Sequence, residues 1–235
     1  SRAFGPSAGT RSSGCGRTSV DEGMLVIKGI EVEIDREAVV VRAALPLGVV
    51  SSAAVGGGFG PARAIVNLHV PKNYPCGDPE GDLARFCRAR GIPHPWVGLL
   101  TSAWTDKAVL ATETSNGVTA LAVATVGLGN PVEAGRSPAA AWQPSTINTI
   151  VVLDADPEPS ALVNLVITAT ECKTLALVGA GIRSPEGTPA SGTSTDAVVV
   201  AATGRGPRHR FGGPVSELGW VVARAVRGAL EDGIR

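Results

Sequence analysis

Two strongly apolar runs, Ile147–Leu153 and Ala197–Ala202, constrain this chain more than any other feature. Both are short and rich in β-branched residues, so the first reads as a buried strand and the second as a central one. A helical pattern follows each. The first begins near Asp156-Pro157, with Asp as cap and Pro at the first helical position, and runs to about Val178. The second covers Pro214–Leu230. Strand–helix units of this kind pack helices on the face of a sheet.

The first half of the chain reads as strands. Met24–Ile34, Glu37–Ala44 and Val49–Val55 precede a Gly-rich turn, GGGFGPA at 56–62, and a further strand over Arg63–Val70. Pro71–Pro79 reads as loop, and Asp82–Arg90 as a helix with Leu83, Phe86 and Cys87 on one face. Val97–Ala103 is a short apolar run. Lys107–Thr114 and Val118–Val126 form a hairpin through Ser115-Asn116-Gly117, and Gly127–Pro144 is rich in turns. Together these give one α/β (α+β) domain, a sandwich with a mixed β-sheet flanked by helices. At 235 residues and 44% hydrophobic content the chain can bury a sizeable core. Residues 1–23 are rich in Gly, Ser and Arg and lack a signal-peptide h-region, so they are expected to be a disordered leader or tag-like segment before a domain over 24–235.

Charge and spacing exclude several partners. Lys+Arg and Asp+Glu balance at 21 each, and no basic run or basic–aromatic interleaving occurs, which weighs against nucleic acid and anionic membranes. The apolar window Ala161–Ile182 contains Glu171 and Lys173 and reads as an amphipathic soluble helix rather than a membrane span. Cys15, Cys76, Cys87 and Cys172 form no CxxC pair, so free thiols of a cytoplasmic protein are expected. Neither GGGFG nor GLGNPVEAG fits a dinucleotide or P-loop fingerprint, and no G-x-S-x-G elbow is present. Thr170 and Lys173 mimic an S-x-x-K site without a companion K-T-G. His69, His94 and His209 lack metal-ligand spacing, so no metal site is expected.

Two charged positions call for partners. At about 100° per residue, Asn164, Thr168, Glu171 and Thr174 share one face of the first helix, while Lys173 projects to the other with Leu162, Val166 and Ala169. If that helix packs on a sheet, one of the two charges meets protein and needs a counter-charge. Asp196 stands at the mouth of the Ala197–Ala202 strand, after Gly192, Thr193, Ser194 and Thr195. It reads equally as a turn cap or as a functional acid.

The segments SSAAVGGGFGPARAIVNLHVPKNY, VGLLTSA, ATVGLGNPVEAG, STINTIVVL, TATECKTLAL, ASGTSTDAVVVA and FGGPVSELGWVVARAV occur in the order seen in the adenosylcobinamide amidohydrolase family. The chain resembles that family from about Ser51 to Gly228. The resemblance implies hydrolysis of the amide joining aminopropanol to the corrin ring's propionate arm, giving adenosylcobyric acid in corrinoid salvage. It departs from the family pattern at Val55-Gly56-Gly57, where Asn-Gly-Gly is usual. It departs also at Ser145-Thr146-Ile147-Asn148, where Gly-Thr-Ile-Asn is usual, and at Cys172, where Ala precedes the lysine. The lost Asn keeps two further readings open: a corrinoid-binding protein without hydrolysis, or an amidohydrolase of a different corrinoid. The D-x-H-x-x-G signature of proteins that bind cobalt through histidine is absent, so the corrinoid is expected as substrate, not cofactor. A homo-oligomer is compatible with all of this.

Amide hydrolysis needs a nucleophile, donors for the developing oxyanion and an acid for the leaving amine. Asp196 or Glu171 is the expected general base, and Asn148, Asn130 and backbone N–H groups the expected oxyanion donors. Lys173 either joins them or holds a carboxylate in place. Ser51, Ser52, Gly57, Asn67, Thr125, Asn130, Thr193 and Thr195 form the expected substrate-binding set. Thr193 and Thr195 have no adjacent histidine, which favours direct attack by water.

Overall fold

The computed structural model describes residues 26–139 and 146–235; the expected leader over 1–23 lies outside the described residues. In chain order the elements begin with β1 (Ile30–Ile34), β2 (Ala38–Ser51), β3 (Gly58–His69), α1 (Pro79–Ala89) and β4 (Trp96–Thr101). The hairpin β5 (Val109–Ser115) and β6 (Val118–Val126) follows, then β7 (Pro131–Val132), β8 (Ile147–Asp154) and β9 (Asp156–Pro157). Last come α2 (Pro159–Gly179), β10 (Gly192–Thr193), β11 (Ala197–Ala202), β12 (Arg208–His209) and α3 (Glu217–Ile234).

Eight strands make one sheet in the order β4-β3-β2-β11-β8-β6-β5, with β1 also paired to β2. The pairs β3–β4 and β8–β11 are parallel and the other pairs of this sheet antiparallel, so the sheet is mixed. β3 runs along one edge of β2 throughout. The other edge is divided: its first half pairs with β1 and its second half with β11. Between the halves, from Arg42 to Leu47, the register with β3 breaks. Pro46 falls in this break, where its missing N–H costs no ladder bond.

At that bend the sheet folds over on itself. Val39, Val41, Ile65, Val97 and Leu99 share one buried cluster with Leu121, Val123, Ile150, Val152 and Val199, although several strands separate β4 from β6 in the ladder. The outward faces are covered separately. Ala38, Val40, Ala64 and Val66 pack on Leu83 and Cys87 of α1. Ala122, Val151, Leu153, Val198 and Val200 pack on Leu165 and Ala169 of α2 and on Val222 and Val226 of α3. The alternation of inward and outward side chains along β2, β8 and β11 thus yields four layers: helix, sheet, sheet, helices. α2 is long and apolar enough to cross a membrane by composition, but here about half of it is buried inside the molecule.

Several boundaries differ from those read in the sequence. The Gly-rich segment is less turn than strand, since β3 already begins at Gly58. The reversal is confined to the residues before it: Gly56 has φ +69°, and a Cβ on Gly57 would sit 2.6 Å from Ala53 O. Pro61 is tolerated in β3 because β4 pairs only from Ala64 onward. Asp156-Pro157 does not start the helix. It forms a short parallel pair with Arg208-His209, and the chain turns helical at the next proline, Pro159. The N–H of Glu158 donates to His209 O at 2.8 Å, which holds the preceding residues extended. α3 starts at Glu217 rather than Pro214, capped by the Ser216 hydroxyl, which accepts from Gly219 N at 3.1 Å. β1 starts at Ile30, after Gly29 at φ +79°. The Asn116-Gly117 hairpin forms as read, both residues at positive φ. Cys76, Cys87 and Cys172 are free thiols; Cys15 lies outside the described residues.

Gly212 lies where the chain crosses the first turns of α2. A Cβ there would collide with Ala161 O and sit 2.9 Å from Leu165 Cγ, and its carbonyl accepts from the Thr168 hydroxyl at 3.1 Å. Gly212→Ala is expected to cost about 1–3 kcal/mol of stability and to lower Tm by roughly 2–12 °C. Gly213→Ala, with nothing within 4 Å of its Cβ, is expected to move Tm by less than about 2 °C. Thermal unfolding of the two variants checks this.

Candidate active site

The inward charge on α2 is Lys173. It is buried, and its ammonium reaches the Asp196 carboxylate at the rim of β11; each side chain is 9% exposed. Glu171, two residues earlier and therefore about 200° round the helix, is exposed on the outer surface. Asp196 is held from every side. Oδ1 accepts from Ile147 N at 3.0 Å and from the Thr193 hydroxyl. Oδ2 accepts from Thr193 N at 3.0 Å and from Lys173. A carboxylate offers about four acceptor sites, and here all four are filled. The turn-capping reading of Asp196 is therefore realised, with Lys173 as its counter-charge, and proton uptake from a water would require it to give up a donor.

Beneath this pair a second polar assembly joins the two sheet layers. Asn148 of β8 donates through Nδ2 to Asn67 Oδ1 on β3 at 2.8 Å and to Leu100 O on β4 at 2.9 Å. Asn67 in turn donates to the Thr125 hydroxyl of β6 at 2.9 Å. All three side-chain residues are about 1% exposed. Both Asn148 donors are spent on protein acceptors, so its amide fixes the distance between layers rather than offering a free donor.

A cleft of about 240 Å³ opens between these assemblies, at the end of the sandwich where β8 and β11 begin and β4 ends. Ser52, Thr101, Ser102, Thr146, Asn148, Thr195 and Asp196 line it with polar atoms; Val70, Leu99 and Ala197 supply the apolar wall, and Cys76 stands at its edge. The Ser52 hydroxyl accepts from Val198 N at 3.0 Å and that of Thr101 from Ala103 N at 3.0 Å. The Thr146 hydroxyl lies 2.7 Å from Thr195 O and 3.2 Å from Asn148 Oδ1.

Of the residues expected from sequence, Asp196, Asn148, Ser52 and Thr195 meet in the cleft. Lys173, Thr193, Asn67 and Thr125 lie behind them and hold them. Asn130 is one step farther out, its Nδ2 donating to the Ser194 hydroxyl at 2.6 Å. Ser51 accepts from Ala53 N at 2.9 Å and Gly57 closes the β2–β3 reversal; both shape the turn behind Ser52. Glu171 is not brought to the cleft. The sequence reading missed Thr101, Ser102, Thr146 and Cys76. For Thr146 a signal existed: it stands in STIN, directly before the buried strand.

Removing one partner of a buried pair leaves an uncompensated charge. Lys173→Met is expected to cost about 3–5 kcal/mol. The double variant with Asp196→Asn is expected to lose less than the sum of the singles, by about 0.5–3 kcal/mol. Urea unfolding of the four proteins in the cycle measures both quantities.

A family model for adenosylcobinamide amidohydrolases matches residues 24–235. The adenosylcobinamide amidohydrolase of Methanosarcina mazei is 31% identical over 192 residues, covering 78% of this chain and 88% of that protein. Among solved structures, a Burkholderia sp. β-aminopeptidase aligns with 12% identity and a TM-score of 0.45, over 86% of this chain and 79% of that one. A Pyrococcus horikoshii OT3 protein aligns at 12% identity with a TM-score of 0.46, over 86% and 78%. By the extent of the family match and the identity to the archaeal relative, the chain belongs to the adenosylcobinamide amidohydrolase family.

Proposed function

We propose that this chain hydrolyses the amide joining aminopropanol to the propionate arm of adenosylcobinamide, releasing adenosylcobyric acid for re-use in corrinoid salvage. Family membership supports the reaction class. The observation that carries the reading is the chemical character of the cleft. Its polar groups are hydroxyls and an amide, set beside Val70 and Leu99, and its one carboxylate is already saturated by four donors. Such a lining suits a neutral amide with a short, hydroxyl-bearing tail.

Size favours the same reading. At about 240 Å³ the cleft is smaller than the ~300–1,000 Å³ sites that enclose drug-sized ligands. It suits one side arm of a corrinoid, with the ring outside. The corrinoid is then substrate, and the reaction as proposed calls for no resident cofactor. Asp196 and Lys173 act by holding the cleft wall; Asn148 and Asn67 hold its floor.

Incubating the purified protein with adenosylcobinamide should release adenosylcobyric acid and aminopropanol in equal amounts, read by chromatography and mass spectrometry. Tight binding without product sinks the proposal in favour of a corrinoid-binding role. Product from another corrinoid alone moves the specificity. Gly192 gives a variant tied to this site: a Cβ there would crowd Asp196 Oδ2 and sit 2.8 Å from Lys173 Nζ. Gly192→Ala is expected to lower kcat/KM by about 10²-fold through displacement of the cleft wall.

A further inference from the structure

We infer that Thr146 is the nucleophile of the reaction, attacking the amide carbonyl to form an acyl ester on Oγ1. This rests on the hydrolase reading above and replaces the direct attack by water expected from the sequence with a covalent step.

The cleft hydroxyls are not equivalent. Ser52 and Thr101 each receive a backbone N–H on the oxygen, which occupies a lone pair and lowers nucleophilicity. Thr193 is bound to Asp196 and lies behind the cleft rather than on its wall. Thr146 has the opposite arrangement. Its proton points to Thr195 O, with Asn148 Oδ1 as the second acceptor, and no described residue donates to Oγ1. Among the described residues its lone pairs are therefore left without a donor, and the residue lines the cleft while being only 3% exposed.

The surroundings fix that orientation. Asp196 Oδ1 holds the N–H of the next residue, Ile147, at 3.0 Å, and Lys173 holds Asp196. Asn148, two residues on, is locked to Asn67 and Leu100. The residues on the C-terminal side of Thr146 are thus anchored by both polar assemblies. This explains why so much buried polar structure converges on the start of β8: it positions one hydroxyl.

The step balances without a further co-reactant. Oγ1 bonds to the amide carbon, the C–N bond breaks, and the hydroxyl proton passes to the departing nitrogen, releasing aminopropanol. Water then cleaves the ester, giving the carboxylic acid and restoring the Thr146 hydroxyl. Cys76 is the alternative nucleophile in the same cleft, presented from the exposed side.

The experiment combines variants with trapping. Thr146→Val, close in shape, is expected to lower kcat by about 10³-fold or more, with KM changed less than about threefold and thermal unfolding retained. Thr146→Ser is expected to keep at least a tenth of the rate. Acid quench during turnover of adenosylcobinamide, followed by peptide mass spectrometry, should place a corrinoid-acyl adduct on the peptide containing residue 146. Adenosylcobyric acid formation by folded Thr146→Val at more than a tenth of the wild-type rate overturns the assignment while leaving the hydrolase reading intact, as does an adduct on Cys76. Failure of the wild-type protein to form any adenosylcobyric acid overturns both.

Discussion

A lysine driven into the protein interior must find a negative charge, and the position of that charge organises the end of this molecule. Lys173 leaves the outer helix layer, passes to the rim of the sheet and meets Asp196. Because the remaining acceptor sites of Asp196 take Ile147 N and two donors of Thr193, one ion pair ties together a helix, a tight turn and the first residues of the two parallel strands β8 and β11. A buried ion pair by itself is weak evidence for stability, since desolvation offsets much of its attraction. Its value here is geometric: four bonds to one carboxylate leave the cleft wall a single conformation.

The same logic holds one layer deeper. Asn148 and Asn67 are buried amides that each need partners, and they satisfy one another across the interior. An apolar pair would fill the volume but leave the layers free to slide; an amide pair has one register. Leu100 O and the Thr125 hydroxyl complete the arrangement, so four strands contribute to one polar floor.

Much of the architecture was legible because periodicity is local. The runs at Ile147–Leu153 and Ala197–Ala202 became β8 and β11, the Asn-Gly hairpin formed, and the first-half strands and second-half strand–helix units gave a mixed sheet with helices. The fold-over was not legible, since nothing in β2's sequence states that a break near Pro46 lets one strand serve two layers. The site was half legible. The face argument on α2 required one of Glu171 and Lys173 to meet protein, but Ile167 and Leu175, apolar and more than half or about half exposed, blur which face turns inward. Only the packing of α2 against the sheet and α3 settles it on Lys173. Asp196, singled out in the sequence, lies on the cleft with its carboxylate saturated by four donors, which only the folded arrangement reveals. Thr146 was passed over because a hydroxyl beside a more polar Asn148 carries little signal until the surrounding donors and acceptors can be counted.

The undivided run of β2 through both layers bears on how the cleft can respond to what enters it. Two sheets joined only by loops can breathe like the halves of a clamshell. Here the layers are the two arms of one bent spring, paired to β3 along both arms and clasped from inside by the asparagines. Widening the mouth would mean straining a hydrogen-bonded ladder. The aperture therefore behaves as a fixed gauge, and adaptation to differently shaped guests falls to the segments around it, such as the loop that presents Cys76.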